Sequence, residues 1–185
     1  MINVRDLSLI IVFAVLGFVF MMLIGQVPNL ITGIPGINYI FTIVYSILQT
    51  VSWLMYEGKK WRIFAQGLLL AFLALLFIPP WTLPVALATI INMFIVDLIF
   101  NIFYGFFKKN KKLNWLSILV QVYYWATHSL WIVFVSFLFL SPVEEVLEKW
   151  FFPIMSIILP IMIIEGIAGG YIGYKIYQRM KKIQN

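Results

Sequence analysis

The sequence predicts an all-α integral membrane protein with six transmembrane helices, cytoplasmic N and C termini, and an outer lid loop between helices 1 and 2. Of its 185 residues, 63% are hydrophobic and only 11% are charged. A soluble domain carries about a quarter charged residues, which cover its surface in water. We therefore expect residues 1–185 to form a single six-helix transmembrane domain, and the protein to be a multi-pass protein of the cell membrane surrounded by the lipid bilayer.

Six apolar segments are long enough to cross a bilayer. A span needs roughly 20 residues, because each rises about 1.5 Å through a hydrocarbon core about 30 Å thick. The prolines at Pro79–Pro80 and Pro142, and a lysine cluster at 108–112, interrupt the apolar runs. The predicted spans are residues 7–25, 37–56, 61–79, 83–107, 113–140 and 150–175.

The basic residues fix the predicted orientation. Twelve of the 13 Lys and Arg residues fall on one side of the six spans, and Lys149 alone falls on the other. The positive-inside rule places the basic side, with both termini, in the cytoplasm. The net charge of +6 is thus explained by membrane topology, and we expect no nucleic-acid partner.

The outer loop after the first span has an unusual composition. Residues 25–37 are rich in Gly and Pro, yet the segment is largely apolar and carries no charge. Loops that lie in water are normally more polar. One interpretation is a lid that folds back over the helix bundle, and the other is a loop that rests among the lipid headgroups.

Two acidic residues lie inside predicted spans. Asp97 is 11 residues from Lys108, and Glu165 is 10 residues from Lys175, which puts both about 15–16 Å above the cytoplasmic edge. A charge at this depth costs roughly 2.5–3.5 kcal/mol on insertion scales, so each acid requires a reason. We expect the two to face each other or to share a hydrogen-bond network, in a structural, subunit-contact or ligand role.

Polar and aromatic residues form one stripe along the fifth span. Their spacing is helical, and the stripe contains the only histidine of the chain. A histidine among Trp and Tyr side chains, below an apolar lid, predicts a pocket for a flat and partly polar ligand. The alternative is ordinary packing or an interfacial aromatic belt. The stripe consists of Gln121, Tyr124, Trp125, His128 and Trp131.

Several stretches together resemble the S components of energy-coupling factor (ECF) transporters. Residues 56–61 (YEGKKW) resemble the basic turn between the second and third spans of that family. Residues 95–100 (IVDLIF) are similar to a recurrent stretch of its fourth span, and residues 165–174 (EGIAGGYIGY) to its glycine-rich sixth span. Six spans in fewer than 200 residues, and the apolar Gly/Pro loop, add to the resemblance, which covers nearly the whole chain.

The resemblance implies a function in uptake. S components bind a vitamin or vitamin precursor from the outside, under the lid and between the outer halves of spans four to six. They work with a transmembrane coupling subunit and two cytoplasmic ATPases. The family usually presents small residues on its first span for docking to the coupling subunit, and here only Ala14 and Gly17 are available. The predicted substrate-binding residues are Asn38, Tyr39, Asn92, Tyr124, Trp125, His128, Trp131 and Glu165.

Other function classes fit the sequence less well. The chain has no cysteine and no glycine-rich phosphate-binding loop, so we expect no enzyme activity, no cofactor and no metal site, and any ATP hydrolysis would belong to partner subunits. Glu144–Glu145 lies in the outer acidic loop without a second histidine to complete a metal site. The stronger alternative is a small self-contained carrier or ion channel that uses Asp97 and Glu165 at the membrane midplane.

Overall fold

The computed structural model describes residues 3–26, 31, 42–77, 83–139 and 152–184. Within these ranges the chain forms six long helices and no strand. The first helix continues into a π-helical turn at Met21–Gln26. The helices are α1 (Val4–Phe20), α2 (Thr42–Met55), α3 (Arg62–Phe77), α4 (Leu83–Lys109), α5 (Leu113–Phe139) and α6 (Phe152–Gln184).

Each helix coincides with one predicted apolar segment. The largest difference is α6, which ends at Gln184 rather than near residue 175. Its basic last turns remain helical because cations are favourable at a helix C-terminus. The predicted lid at 25–37 lies mostly outside the described residues. Among the described residues, three helices are long and apolar enough to cross a membrane, namely Val4–Ile24, Leu83–Lys109 and Ser156–Ile183, as expected of a membrane protein.

The six helices form a closed ring. Its order is α1, α3, α4, α5, α6 and α2, and α2 returns to α1. The most extensive packing joins α6 to both α5 and α2. A smaller contact between α2 and α5 crosses the interior of the ring. Most of the buried side chains belong to α2, α4 and α5.

Polarity is inverted relative to a water-soluble bundle. Large apolar side chains are exposed on every helix, such as Leu23, Phe72, Ile102, Leu130 and Ile164. Monomeric soluble proteins rarely expose apolar surface on this scale, whereas lipid solvates it. The buried polar and charged residues include Ser46, Gln49, Thr50, Gln66, Asn92, Asp97, Gln121 and His128. The exterior of the bundle therefore suits hydrocarbon, and its polar groups are held inside.

Glycines of α6 permit close packing on two sides. A Cβ atom at Gly170 would lie 2.9 Å from the Cα of Ile118 on α5. A Cβ atom at Gly173 would lie 2.6 Å from the Cβ of Thr50 on α2. Gly166 likewise faces α5, and Gly169 faces α2. The pair Gly166 and Gly170 thus lets α5 pack closely against α6, and the pair Gly169 and Gly173 does the same for α2.

The basic clusters collect at one end of the bundle. Asp6, near the start of α1, forms ion pairs with two residues beside the α2–α3 turn. Its carboxylate oxygens lie 2.8 Å from Nζ of Lys59 and 3.0 Å from Nη2 of Arg62. Glu57 in that turn lies 3.7 Å from Lys181 near the end of α6. We call this the basic end. It joins the start of α1, the α2–α3 turn and the last turns of α6.

Candidate functional site

The predicted stripe on α5 faces the interior of the ring. The exposed fractions of Tyr124, Trp125 and His128 are 2%, 4% and 5%. The ring of His128 stacks on that of Tyr124, with centroids 5.2 Å apart and planes at 14°. The ring of Trp125 meets both of them edge to face, at centroid distances of 4.9 Å and 6.1 Å. The three predicted residues therefore form one compact aromatic cluster.

Asn92 of α4 joins this cluster. Its side-chain Nδ2 donates to the backbone oxygen of Tyr124 at 2.9 Å. Its Oδ1 accepts a hydrogen bond from the hydroxyl of Thr127 at 3.0 Å. A fully buried amide with partners on both its atoms is fixed in orientation. Asn92 therefore ties α4 to α5 beside the aromatic rings.

A second set of hydrogen bonds links the cluster to α2 and α6. The indole Nε1 of Trp125 donates to the Oγ of Ser46 at 2.6 Å, and that hydroxyl donates to the backbone oxygen of Thr42 at 3.0 Å. The backbone N–H of Thr42 donates to Glu165 at 2.8 Å. The predicted residues Trp125 and Glu165 are thus connected through Ser46 and Thr42, two residues of α2.

Several polar atoms in the interior have no hydrogen-bond partner among the described residues. They include Nδ1 of His128, Nε1 of Trp53 and Oε1 of Gln121. The ring of Trp53 also meets Tyr124 edge to face, with centroids 6.1 Å apart. A buried polar group without a partner costs about 1–3 kcal/mol, so such groups commonly accompany a water or ligand site.

Of the other predicted site residues, only Trp131 is described apart from the cluster. Trp131 lies one turn beyond His128 on α5, is partly buried, and contacts the ring of Phe134 with centroids 5.9 Å apart. Asn38 and Tyr39 lie outside the described residues. The structure therefore brings together Asn92, Tyr124, Trp125 and His128, with Glu165 reached through α2.

Asp97 and Glu165 do not form the shared network expected from their depth. Asp97 accepts hydrogen bonds from the backbone N–H groups of Trp61 and Ile63, at 2.9 Å and 3.0 Å, and so caps the start of α3. Glu165 caps the start of α2 at Thr42. Because α2 and α3 follow each other with a short turn between them, their first turns lie at opposite ends of the bundle. The two acids are therefore separated by about the 20 Å length of α2.

Ala14 and Gly17 also differ in position from the docking role that the resemblance implied. Ala14 is completely buried. A Cβ atom at Gly17 would lie 3.2 Å from the ring of Tyr45 and 3.7 Å from Leu70, so this residue packs against α2 and α3. Both residues thus serve packing within the chain. The outward face of α1 instead carries the exposed residues Leu7, Ile11, Val12, Val15 and Val19.

Sequence reasoning missed the contribution of α2. Thr42, Ser46, Gln49 and Trp53 recur at spacings of four, three and four residues, which places them on one helix face. All four are buried. The signal was therefore present as a polar stripe on an apolar helix, parallel to the more conspicuous stripe on α5.

The cluster combines apolar walls, one amide, one imidazole and hydroxyl groups. In the described part of the chain, no three His, Cys, Asp or Glu side chains are grouped to hold a metal ion. Aromatic faces with a few fixed polar atoms suit the recognition of a small planar molecule. No protein-family model, curated protein or solved structure matches this chain.

Proposed function

We propose that this protein is the substrate-binding membrane subunit of an ECF-type transporter that takes up a vitamin or vitamin precursor. One observation supports this function above the others: Asn92, Tyr124, Trp125 and His128 converge from α4 and α5 on the bundle interior. The sequence predicts each of these residues to be a ligand contact. Their convergence gives one site with aromatic faces and an imidazole nitrogen that has no hydrogen-bond partner among the described residues.

In this proposal the basic end faces the cytoplasm and all six helices span the membrane. The ion pairs of Asp6 with Lys59 and Arg62 gather positive charge at that end, in keeping with the positive-inside rule. The aromatic cluster lies away from it, near the level of Thr42, the first described residue of α2. The ligand would then arrive from the outer side, under the predicted lid at 25–37.

The proposed partners are a transmembrane coupling subunit and two cytoplasmic ATPases. A coupling subunit that docks on α1 would meet its exposed apolar face, including Ile11 and Val15, which are 45% and 43% exposed. Within the described residues α1 packs mainly on α3 and α2. Its peripheral position therefore leaves that face open to lipid or to a partner helix.

The test is mass spectrometry of small molecules released by denaturing the detergent-purified protein. We expect a stoichiometric planar, vitamin-like compound from the wild type, and its loss from the His128→Ala, Trp131→Ala double variant. Trp115→Ala is a matched control, because Trp115 lies on the same helix but is 54% exposed. A thermal-shift panel of vitamins with each variant would give the affinity of the compound.

The comparison of the double variant with Trp115→Ala shows whether a released compound was bound at the α5 cluster. Loss of the compound from the double variant, but not from Trp115→Ala, supports a site on the α5 cluster. Equal retention in all three proteins contradicts the assignment of that site. If wild-type protein releases no such compound and no vitamin shifts its melting temperature, the binding-subunit function is rejected.

The alternative is a small self-contained carrier or ion channel that uses Asp97 and Glu165. The contacts of Asp97 weigh against it, because its carboxylate already accepts from Trp61, Ile63 and the side chain of Asn101. Flux of protons or cations through liposomes containing only this chain would favour the alternative. Such flux should then depend on the charge of both acids.

A further inference from the structure

A cavity of about 450 Å³ opens at the basic end, far from the aromatic cluster. It lies between the last turns of α4, the first residue of α5 and the last turns of α6. We call it the lysine–tyrosine pocket, and define it by Tyr104, Lys108, Tyr174, Tyr177, Lys181 and Lys182. Its volume falls in the range of about 300–1,000 Å³ that is typical of small-molecule sites.

The charge of the pocket is strongly positive. Of its three lysines, only Lys181 has an acidic partner in the described part of the chain, with its Nζ 3.7 Å from Glu57. The Nζ of Lys108 lies 5.6 Å from the ring of Tyr104, and that of Lys181 lies 5.9 Å from the ring of Tyr177. These cation–π contacts hold two ammonium groups against the walls of the cavity. Three cations with one carboxylate nearby create a site for an anion.

The walls add apolar surface and a hydrogen-bond donor. Tyr104 and Tyr177 are 6% and 8% exposed, so their rings form firm sides. The hydroxyl of Tyr174 accepts from Nε2 of Gln178 at 2.5 Å, which leaves its own proton available to an oxygen of a ligand. An anion with several oxygens and an adjoining apolar part would use all of these features.

We propose that the lysine–tyrosine pocket binds the phosphate group of a phosphate ester. Two sources share this chemistry: the headgroup of an anionic phospholipid, and a soluble phosphate monoester. Basic pockets between transmembrane helices commonly hold anionic headgroups, and lysine ammonium groups extend to the headgroup level while their stems stay in apolar surroundings. The inference does not rest on the proposed uptake function, because no residue of this pocket belongs to the aromatic cluster.

The occupant would bridge three helices. Lys108 belongs to α4, Leu113 begins α5, and Lys181 belongs to α6, and all three residues line the cavity. A phosphate bound between Lys108 and Lys182 would offset their mutual repulsion. We therefore expect a bound phosphate to stabilise this end of the bundle, and so to raise the melting temperature of the protein.

The test measures binding to full-length protein in a neutral detergent, by melting temperature and by native mass spectrometry. The probes are short-chain phosphatidylglycerol, glycerol 3-phosphate and, as a zwitterionic control, short-chain phosphatidylcholine. We expect the Lys108→Gln, Lys182→Gln double variant to bind the phosphate probe about tenfold or more weakly. We expect Glu57→Gln to bind it more tightly, because the carboxylate that competes for Lys181 is removed.

The matched control is the Lys111→Gln, Lys112→Gln double variant. It removes the same charge from exposed positions of the same end, and neither residue lines the pocket. Binding of phosphatidylglycerol alone supports the proposal with a lipid source, and equal binding of glycerol 3-phosphate supports it with a soluble source. The proposal is overturned if neither probe binds, if phosphatidylcholine binds equally well, or if both double variants weaken binding to the same extent.

Discussion

The carboxylate of Glu165, near the middle of α6, accepts a hydrogen bond from the backbone N–H of Thr42 at 2.8 Å. The hydroxyl of Thr42 donates to the same oxygen. Thr42 is the first described residue of α2, and backbone N–H groups in the first turn of a helix have no partner within the helix. Asp97 of α4 does the same for α3. Each membrane acid is therefore a cap that one helix supplies to the N-terminus of another, where the helix dipole also favours negative charge.

If capping is the main role of Glu165, an oxygen acceptor matters more than charge. We expect Glu165→Ala to lower the free energy of unfolding by about 1–3 kcal/mol, because it leaves the N–H of Thr42 unpaired. Glu165→Gln keeps a carbonyl oxygen and should retain most of the stability. Unfolding in mixed micelles, followed by circular dichroism, measures both. Asn110→Ala, at an exposed position just after α4, controls for loss of a local side-chain bond. An equal loss of stability in Glu165→Ala and Glu165→Gln would instead indicate that the charge itself is required.

The glycines of α6 give a prediction about packing. Gly170→Ala should destabilise the protein by about 1–3 kcal/mol, since its new methyl group would meet backbone atoms of Ile118 and Ser117 at 2.9 Å. Gly105→Ala is the matched control, because nothing lies within 4 Å of the added atom. We expect that variant to be stabilised by about 0.5–1 kcal/mol, as in any helix interior. Thermal unfolding of both variants tests the difference, and a similar result for the two would contradict the close packing.

The bond between Trp125 and Ser46 gives a prediction about the candidate site. Ser46→Ala removes the acceptor of a buried indole N–H, and we expect a loss of about 1–3 kcal/mol of stability. We also expect altered tryptophan fluorescence, because Trp125 loses its polar neighbour. Ser8→Ala is the control, since Ser8 is exposed and bonds only to the backbone of Val4. An unchanged melting temperature and spectrum for Ser46→Ala would show that this bond does not orient Trp125.

The ion pairs of Asp6 should differ in strength. Its side chain is 2% exposed, that of Arg62 is 11% exposed, and that of Lys59 is 39% exposed. We expect Asp6→Asn to cost about 3 kcal/mol, because it removes the negative charge that the nearly buried Arg62 contacts. In double-mutant cycles, the coupling of Asp6 to Arg62 should clearly exceed that to Lys59, which should be about 1 kcal/mol or less. Equal couplings would mean that burial does not set the strength of these pairs.

The candidate site could be predicted in part. The stripe on α5 was visible because Tyr124, Trp125 and His128 combine helical spacing with unusual residue types. The role of Ser46 was not, because a serine in an apolar helix is common and its partner is 79 residues away in the sequence. Asp97 and Glu165 stand out in the sequence because a charge inside the membrane is costly. Their partners were not predicted, because depth along a helix does not specify which neighbour a side chain faces.

Local composition is sufficient to predict the helical segments, the basic clusters and a membrane as the surrounding solvent. A run of roughly 20 apolar residues can satisfy its backbone in lipid only as a helix. The order of the helices around the ring, and the pairing of each acid with a helix start, are visible only in the folded protein. The same is true of which glycine of α6 meets α2 and which meets α5. Those choices depend on the close fit of side chains between segments distant in the chain, which local patterns do not encode.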